Sequence, residues 1–350
     1  MKILVNTPDI NLLGGVANHY KGLQNYWSED VRYNYIGGRK GIPGPICLLY
    51  DYLKFFFHCA FGNYDVILLN PSLGKTAVKR DKLFLKIAKL FLKKTIVFFH
   101  GWEETIANEI DKNPPSFSKT FGKADGMIVL ASVFKQRLMS WGINTPIYLS
   151  TTKINDSLIE NFDVNKKQPD QTVLFLARIE ENKGIFTTIE AIKQVQRKYP
   201  DCQLNIAGDG GALLKAKGYV NEHQIKKVTF LGNLKDKAVV QAFENASIYI
   251  LPTSHGEGMP TSLLEAMAFG LPIISRPVGG TIDFFKDGKM GFLLDSLNPE
   301  DYAEKIIHLL DNPEQISSIS KYNHNYACDH FLASKVSVNL ERIIREIVTK

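Results

Sequence analysis

Short apolar runs alternate with longer stretches of helical spacing along nearly the whole chain, and no other feature limits its possible folds so sharply. The runs cover residues 2–6, 66–70, 95–100 and 126–130 in the first half, and 172–176, 203–207, 227–231, 247–251 and 272–275 in the second. Most are continuous rather than alternating, the pattern of strands buried on both faces. Segments of ten or more residues with helical spacing separate many of them. This is the βαβ rhythm of parallel, doubly wound sheets, so the expected class is α/β.

With 350 residues the chain exceeds one ordinary core. The rhythm breaks once, over 151–171, where Asn, Lys and Asp replace any sustained apolar period. Two Rossmann-like domains are therefore expected, at 1–155 and 171–325, joined by a linker at 156–170. Residues 326–350 form a helical tail that can cross back to the first domain.

No stretch approaches the ~18 apolar residues of a membrane span. The opening MKILVNTPDI reads as a first strand rather than a signal peptide. Cys47, Cys59, Cys202 and Cys328 show no metal-ligand spacing and read as reduced thiols, which places the protein in the cytoplasm. The net charge is +6, but residues 1–150 hold 19 Lys and Arg against 11 Asp and Glu, so the excess lies in the first half. An anionic partner is expected there. The stretch from Lys75 to Lys94 carries eight basic residues and one acid, with Lys79, Lys82, Lys86, Lys89 and Lys93 at helical spacing. It is either the solvated face of a surface helix or a basic helix that docks on anionic lipid, peripheral to the inner face of the plasma membrane. The apolar, aromatic segment 46–61 lies nearby in sequence. Nucleic acid is not an expected partner, because aromatic interleaving and any known module are missing.

The second half carries the chemistry. Arg178 and Lys183 follow the run 172–176, where a parallel sheet binds ligands beyond its strand ends. A guanidinium fork and an ammonium on a loop entering a helix suit a diphosphate. Gly208, Asp209, Gly210 and Gly211 follow the run 203–207 and allow either close backbone approach to a ligand or a tight turn. Beyond 247–251 comes a loop with Glu257, Gly258 and Met259, then Pro260 and Thr261 opening a helix that contains Glu265. Backbone N–H groups at that helix start suit phosphate. Glu257 and Glu265 suit sugar and ribose hydroxyls, which donate to carboxylates.

Together these elements resemble the family 4 retaining glycosyltransferases. The carriers are the E-x7-E element Glu257 to Glu265, the pair Arg178 and Lys183 in ARIEENKG, the GDGG turn, VTFLGNL at 228–234 and GGTIDFFKDGKMGFLL at 279–294. The resemblance is dense over 170–310; in the first half it rests on Gly14, Gly15 and His100. It implies the GT-B fold, two Rossmann-like domains facing each other across a cleft. It also implies that Arg178 and Lys183 hold the donor diphosphate and Glu265 the ribose. Glu257 would engage the donor sugar and His100 would face it. Gly14 and Gly15 would approach the phosphates or acceptor, and Gly208, Gly258, Met259, Pro260 and Thr261 would line the donor site. No metal and no cofactor are expected, since Arg178 and Lys183 stand where a metal would act. The implied function is transfer of a hexosyl group from a UDP- or GDP-sugar, with retention, to a saccharide or lipid-linked acceptor in cell-envelope polysaccharide or glycolipid synthesis.

Two positions depart from the family pattern: Ala177 replaces a glycine and Met259 an aromatic residue. The alternatives are a catalytically silent nucleotide-sugar-binding partner of a transferase, or a sugar-nucleotide epimerase on the same fold. A phosphorylase would need a cofactor lysine motif that the chain lacks.

Overall fold

The computed structural model describes residues 1–168 and 170–349. It divides into two compact units: Met1–Lys153 with Gly256–Met259 and Ala333–Lys350, and Ile154–His255 with Pro260–Leu332.

The first unit begins with β1 (Lys2–Pro8), α1 (Gly15–Leu23), β2 (Asp30–Ile36), α2 (Gly44–Phe61), β3 (Val66–Leu69) and α3 (Lys75–Leu90). It continues with β4 (Thr95–Phe99), α4 (Glu104–Asp111), α5 (Pro115–Phe121), β5 (Gly126–Val129), α6 (Ser132–Ser140) and β6 (Ile147–Leu149). The strands form one sheet in the order β2-β1-β3-β4-β5-β6, and every pair is parallel. Side chains alternate between its faces, as the period of two requires. Leu4, Ile67, Leu69, Val97 and Phe99 join Phe55 of α2 and Phe84 of α3 in one core. Ile3, Val5, Leu68, Ile96 and Phe98 join Tyr20 and Leu23 of α1 in the other.

The second unit repeats the plan with β7 (Thr172–Leu176), α7 (Ile185–Val195), β8 (Gln203–Ala207), α8 (Leu213–Glu222), β9 (Val228–Gly232), α9 (Lys237–Glu244) and β10 (Ile248–Leu251). There follow α10 (Thr261–Ala268), β11 (Ile273–Ser275), α11 (Thr281–Phe284), β12 (Gly291–Leu293), α12 (Pro299–Asp311) and α13 (Pro313–His330). Its parallel sheet runs β12-β11-β10-β7-β8-β9. The chain reverses direction across the sheet between β7 and β10, which puts the ligand crevice of a doubly wound sheet at their carboxyl ends. Each unit is thus one parallel six-stranded sheet, as expected of two Rossmann-like domains.

Two boundaries differ from the sequence reading, and the tail crosses back to the first unit as expected. Residues 156–170 are not a solvated linker but part of the second unit. Their polar groups bond the unit's backbone and side chains: Lys167 Nζ donates to the carbonyls of Phe243 and Glu244 at 3.1 and 2.9 Å, and Asp170 N to Ser247 Oγ at 2.6 Å. The tail starts at 333 rather than 326, because α13 runs unbroken through 326 to His330. The last helix, α14 (Ala333–Val348), belongs to the first unit and covers the sheet face shared with α1. It is held by buried Glu341, which accepts from Ser28 N at 2.7 Å and Glu29 N at 3.0 Å.

The lysine stripe also differs. Lys79 and Lys86 are exposed, but Lys82 Nζ donates to Ser116 O at 2.6 Å, Lys93 Nζ to Gly62 O at 2.9 Å, and Lys89 Nζ to the Asp125 carboxylate. Three of the five lysines in the stripe therefore face protein. No described helix is long and apolar enough to cross a membrane.

Candidate functional site

In the second unit the loops after β7, β8 and β10 are tied together by their backbones. Ile179 N donates to Asp209 O at 2.9 Å, Gly208 N to Gly232 O at 2.7 Å, and Ala212 N to Ile179 O at 2.9 Å. Two glycines permit this approach. A Cβ on Gly208 would lie 1.9 Å from Ala177 O, and one on Gly210 would lie 2.4 Å from Ile179 O. The first has φ +138°, a conformation that L side chains rarely adopt. The GDGG turn thus seats the loop that carries Arg178.

That loop continues through a single 3-10 turn, Glu181–Lys183, to Gly184 at φ +82°. A Cβ on Gly184 would meet Pro252 O at 2.4 Å. Asn182 O accepts from Ser254 N at 2.8 Å and His255 N at 3.1 Å. The cation-bearing loop and the loop after β10 therefore hold each other at the point where the strand order reverses. Between the carboxyl ends of β7 and β8 lies a cavity of about 310 Å³, lined by Arg178, Gly208, Asp209, Asn233, Leu234 and Ser262 among others. Arg178 is 62% exposed and pairs with Glu180 at 3.0 Å, while Lys183 is only 7% exposed. The Arg178 guanidinium reaches solvent, while the Lys183 side chain lies buried in the same loop.

The helix expected near Pro260 is α10, with Pro260 at its N-cap and no side chain capping it. Glu265 lies half-buried on its second turn. Glu257, Gly258 and Met259 group with the first unit, while Pro260, Thr261 and Glu265 group with the second. The E-x7-E pair is thus split between the units.

In the first unit, His100 follows β4 and is half-buried. Its Nε2 lies 3.1 Å from Asn70 Oδ1. Asn70 Nδ2 donates to Asn6 O and Leu68 O, both at 3.1 Å, and Tyr20 OH donates to Asn70 Oδ1 at 2.5 Å. Because two carbonyls fix the amide nitrogen, Oδ1 is the acceptor and His100 Nε2 carries the hydrogen. Nδ1 then bears a lone pair and can accept from a hydroxyl. Burial lowers the His100 pKa to about 3, so the ring stays neutral. His19, centred 5.0 Å away, is fully buried, and burial, then His100, then Lys153 lower its pKa as well. Asn70, Tyr20 and His19 were not among the expected site residues. Asn70 alone carried a signal, as a polar residue directly after an apolar run.

Gly14 and Gly15 lie between β1 and α1, and a Cβ at either would meet nothing within 4 Å. Packing does not demand glycine at these two positions, unlike Gly208 and Gly210. Among the described residues, no group of three or more His, Cys, Asp or Glu side chains could hold a metal ion.

Known proteins resemble this chain in sequence and in fold. Residues 157–326 match the family model of glycosyl transferases group 1. WcaL of Salmonella typhimurium, whose name assigns it to colanic acid biosynthesis, is 25% identical over 241 residues, 67% of this chain and 57% of its own. Phosphatidyl-myo-inositol mannosyltransferase of Mycobacterium tuberculosis is 32% identical over 150 residues, 41% of this chain and 38% of its own. The chain spans roughly half the length of the curated relatives it matches. Among solved structures, Anabaena HepE in complex with UDP and glucose superposes with a TM-score of 0.72 at 14% identity, covering 99% of both chains. The chain therefore carries a segment, residues 157–326, similar to the glycosyl transferases group 1, on a GT-B fold.

Proposed function

We propose that the protein is a retaining glycosyltransferase that moves a hexosyl group from a UDP- or GDP-sugar to a saccharide or lipid-linked acceptor. The observation that carries this reading is Arg178 beside a glycine-bound cavity at the carboxyl ends of β7 and β8, with Lys183 on the same loop. As the bond between the anomeric carbon and the diphosphate oxygen breaks, negative charge gathers on the leaving phosphate. Preorganised cations act there without a metal. The acceptor oxygen bonds to the anomeric carbon on the same face and its proton passes to the leaving phosphate, so configuration is retained.

Glu265 holds the ribose hydroxyls and Glu257 those of the donor sugar. His100 accepts a sugar hydroxyl at Nδ1. Gly14 and Gly15, with open space around them, let a phosphate or acceptor approach the backbone. Gly258, Met259, Pro260 and Thr261 complete the donor site, and Gly208 positions Arg178. UDP as carrier is supported by the ligand of HepE, polysaccharide synthesis by the name of WcaL, and a lipid-type acceptor by that of the mannosyltransferase. The protein acts in the cytoplasm, at the inner face of the membrane.

Mass spectrometry of products formed from UDP- and GDP-sugars with a lipid-linked saccharide, in the presence of EDTA, tests the reading. Transfer with an α-linked product from an α-linked donor is expected. An inverted product, or transfer that requires added metal, would refute the corresponding part.

A further inference from the structure

The largest anomaly of the first unit is the outward face of α2. Ile46, Leu49, Tyr50, Leu53, Phe57 and Phe61 are each more than half exposed, and they recur at helical spacing. Single exposed apolar side chains are ordinary, but a contiguous stripe of six marks a surface that meets something other than water. Phe56 continues it onto α3 through a ring contact with Phe91 at 4.9 Å, beside exposed Leu90 and Leu92.

Charge identifies the occupant. The single carboxylate on α2, Asp51, is buried and pairs inward with Arg39 at 2.6 Å while accepting from Gly37 N at 2.7 Å. The outward side keeps Lys54, which with Arg32 of β2, Tyr50, Leu53, Phe57 and Tyr64 lines a groove of about 660 Å³. Lys79 and Lys86 are exposed on α3, the helix packed beside α2. The field is felt at His58, whose pKa is lowered by burial and then by Lys54 and Arg32. A second copy docked by a two-fold axis would set this basic rim against itself. An anionic bilayer meets both features, with headgroups on the lysines and acyl chains on the aromatic stripe.

We infer that α2 is the membrane-contacting element of this protein, lying in the headgroup layer with its apolar stripe buried and its basic rim on acidic phospholipid. The inference rests on the proposed membrane location, and it moves that contact from the lysine stripe, three of whose five members face protein, to α2.

Co-sedimentation of the full chain with vesicles tests it, using phosphatidylcholine alone and phosphatidylcholine mixed with phosphatidylglycerol. Wild type should favour the mixed vesicles. Leu53→Ser/Phe57→Ser should lose at least about tenfold in partitioning to them. Lys54→Glu should lose about fivefold on the mixed vesicles and little on the neutral ones. Leu53 and Phe57 are exposed and Lys54 is half-buried on the groove wall, and thermal melts with a nucleotide-sugar should match wild type. Unchanged partitioning of the double variant would overturn the inference. So would a wild-type dimer in water that this variant dissociates. Vesicle binding as expected with no response to any nucleotide-sugar would remove the transferase reading and leave the docking surface standing.

Discussion

The two units build the same sheet but arm its carboxyl edge in opposite ways. In the second, the edge is glycine-bound and cationic: Gly208 and Gly210 let the backbone loops touch, and the Arg178 guanidinium stands 62% exposed beside a cavity. In the first, the edge is neutral and aromatic: His100 and Tyr20 bond Asn70, the His19 ring packs on both, and both imidazoles have lowered pKa values. A diphosphate needs fixed charge, whereas a hydroxyl needs a directed lone pair. One topology supplies either, depending on which residues follow the strands.

The sharpest way to break this contrast is to remove the charge. Arg178→Ala should lower kcat by about 10²–10³, the range for losing one donor to a developing anion, while the melting temperature stays close to wild type. A loss below about tenfold would contradict the assignment.

The glycines allow a second comparison. Gly208→Ala should destabilise the second unit by about 1–3 kcal/mol, because its Cβ would strike a backbone carbonyl that cannot give way. Gly15→Ala should change stability by less than about 0.5 kcal/mol, since nothing surrounds it. Urea unfolding of both variants checks this, and equal effects would erase the distinction between packing and functional glycines.

A third test concerns the neutral edge. Asn70→Asp places a carboxylate on His100, with His19, Tyr20 and Lys153 as the other titratable neighbours. The imidazolium then becomes accessible and Nδ1 loses its lone pair on protonation. Activity should fall about tenfold toward acid pH through a new ionisation that wild type lacks. An unchanged pH profile would show that His100 does not accept a hydroxyl.

The smallest expected effect is on stability. His19 and His100 are neutral when folded and titrate near 6.5 when unfolded, so the unfolded state binds more protons as pH falls. Their contribution is complete above pH 6.5 and is lost as pH falls below it, for His100 down to about 3. Between pH 7.5 and 5.5 each should cost on the order of 1 kcal/mol. Chemical unfolding of wild type and His100→Gln across this range measures it. Identical pH slopes for the two would contradict the assignment.

Much of the second unit could be read in the chain, because its strands are continuous apolar runs and its ligand loops hold Arg, Lys, Gly and Glu close in sequence. The β7 and β8 runs coincide with the observed strands. The sequence reading missed β2, an edge strand whose burial alternates along DVRYNYI, and the three-residue edge strands β6 and β12. The first unit's edge was opaque for another reason. Tyr20, Asn70 and His100 are 50 and 30 residues apart and meet only through the sheet. The lysine stripe misled because spacing shows which residues share a helix face, not what that face touches.

The central claim is that the cationic edge of the second unit binds a nucleoside diphosphate sugar. Thermal shift of wild type and Arg178→Ala with UDP-, GDP- and ADP-sugars tests it most directly. At a hundredfold excess over Kd, one of the three should raise the wild-type Tm by about 5–10 °C, with most of that shift lost in the variant. No shift with any of them, or an equal shift in the variant, would contradict the claim.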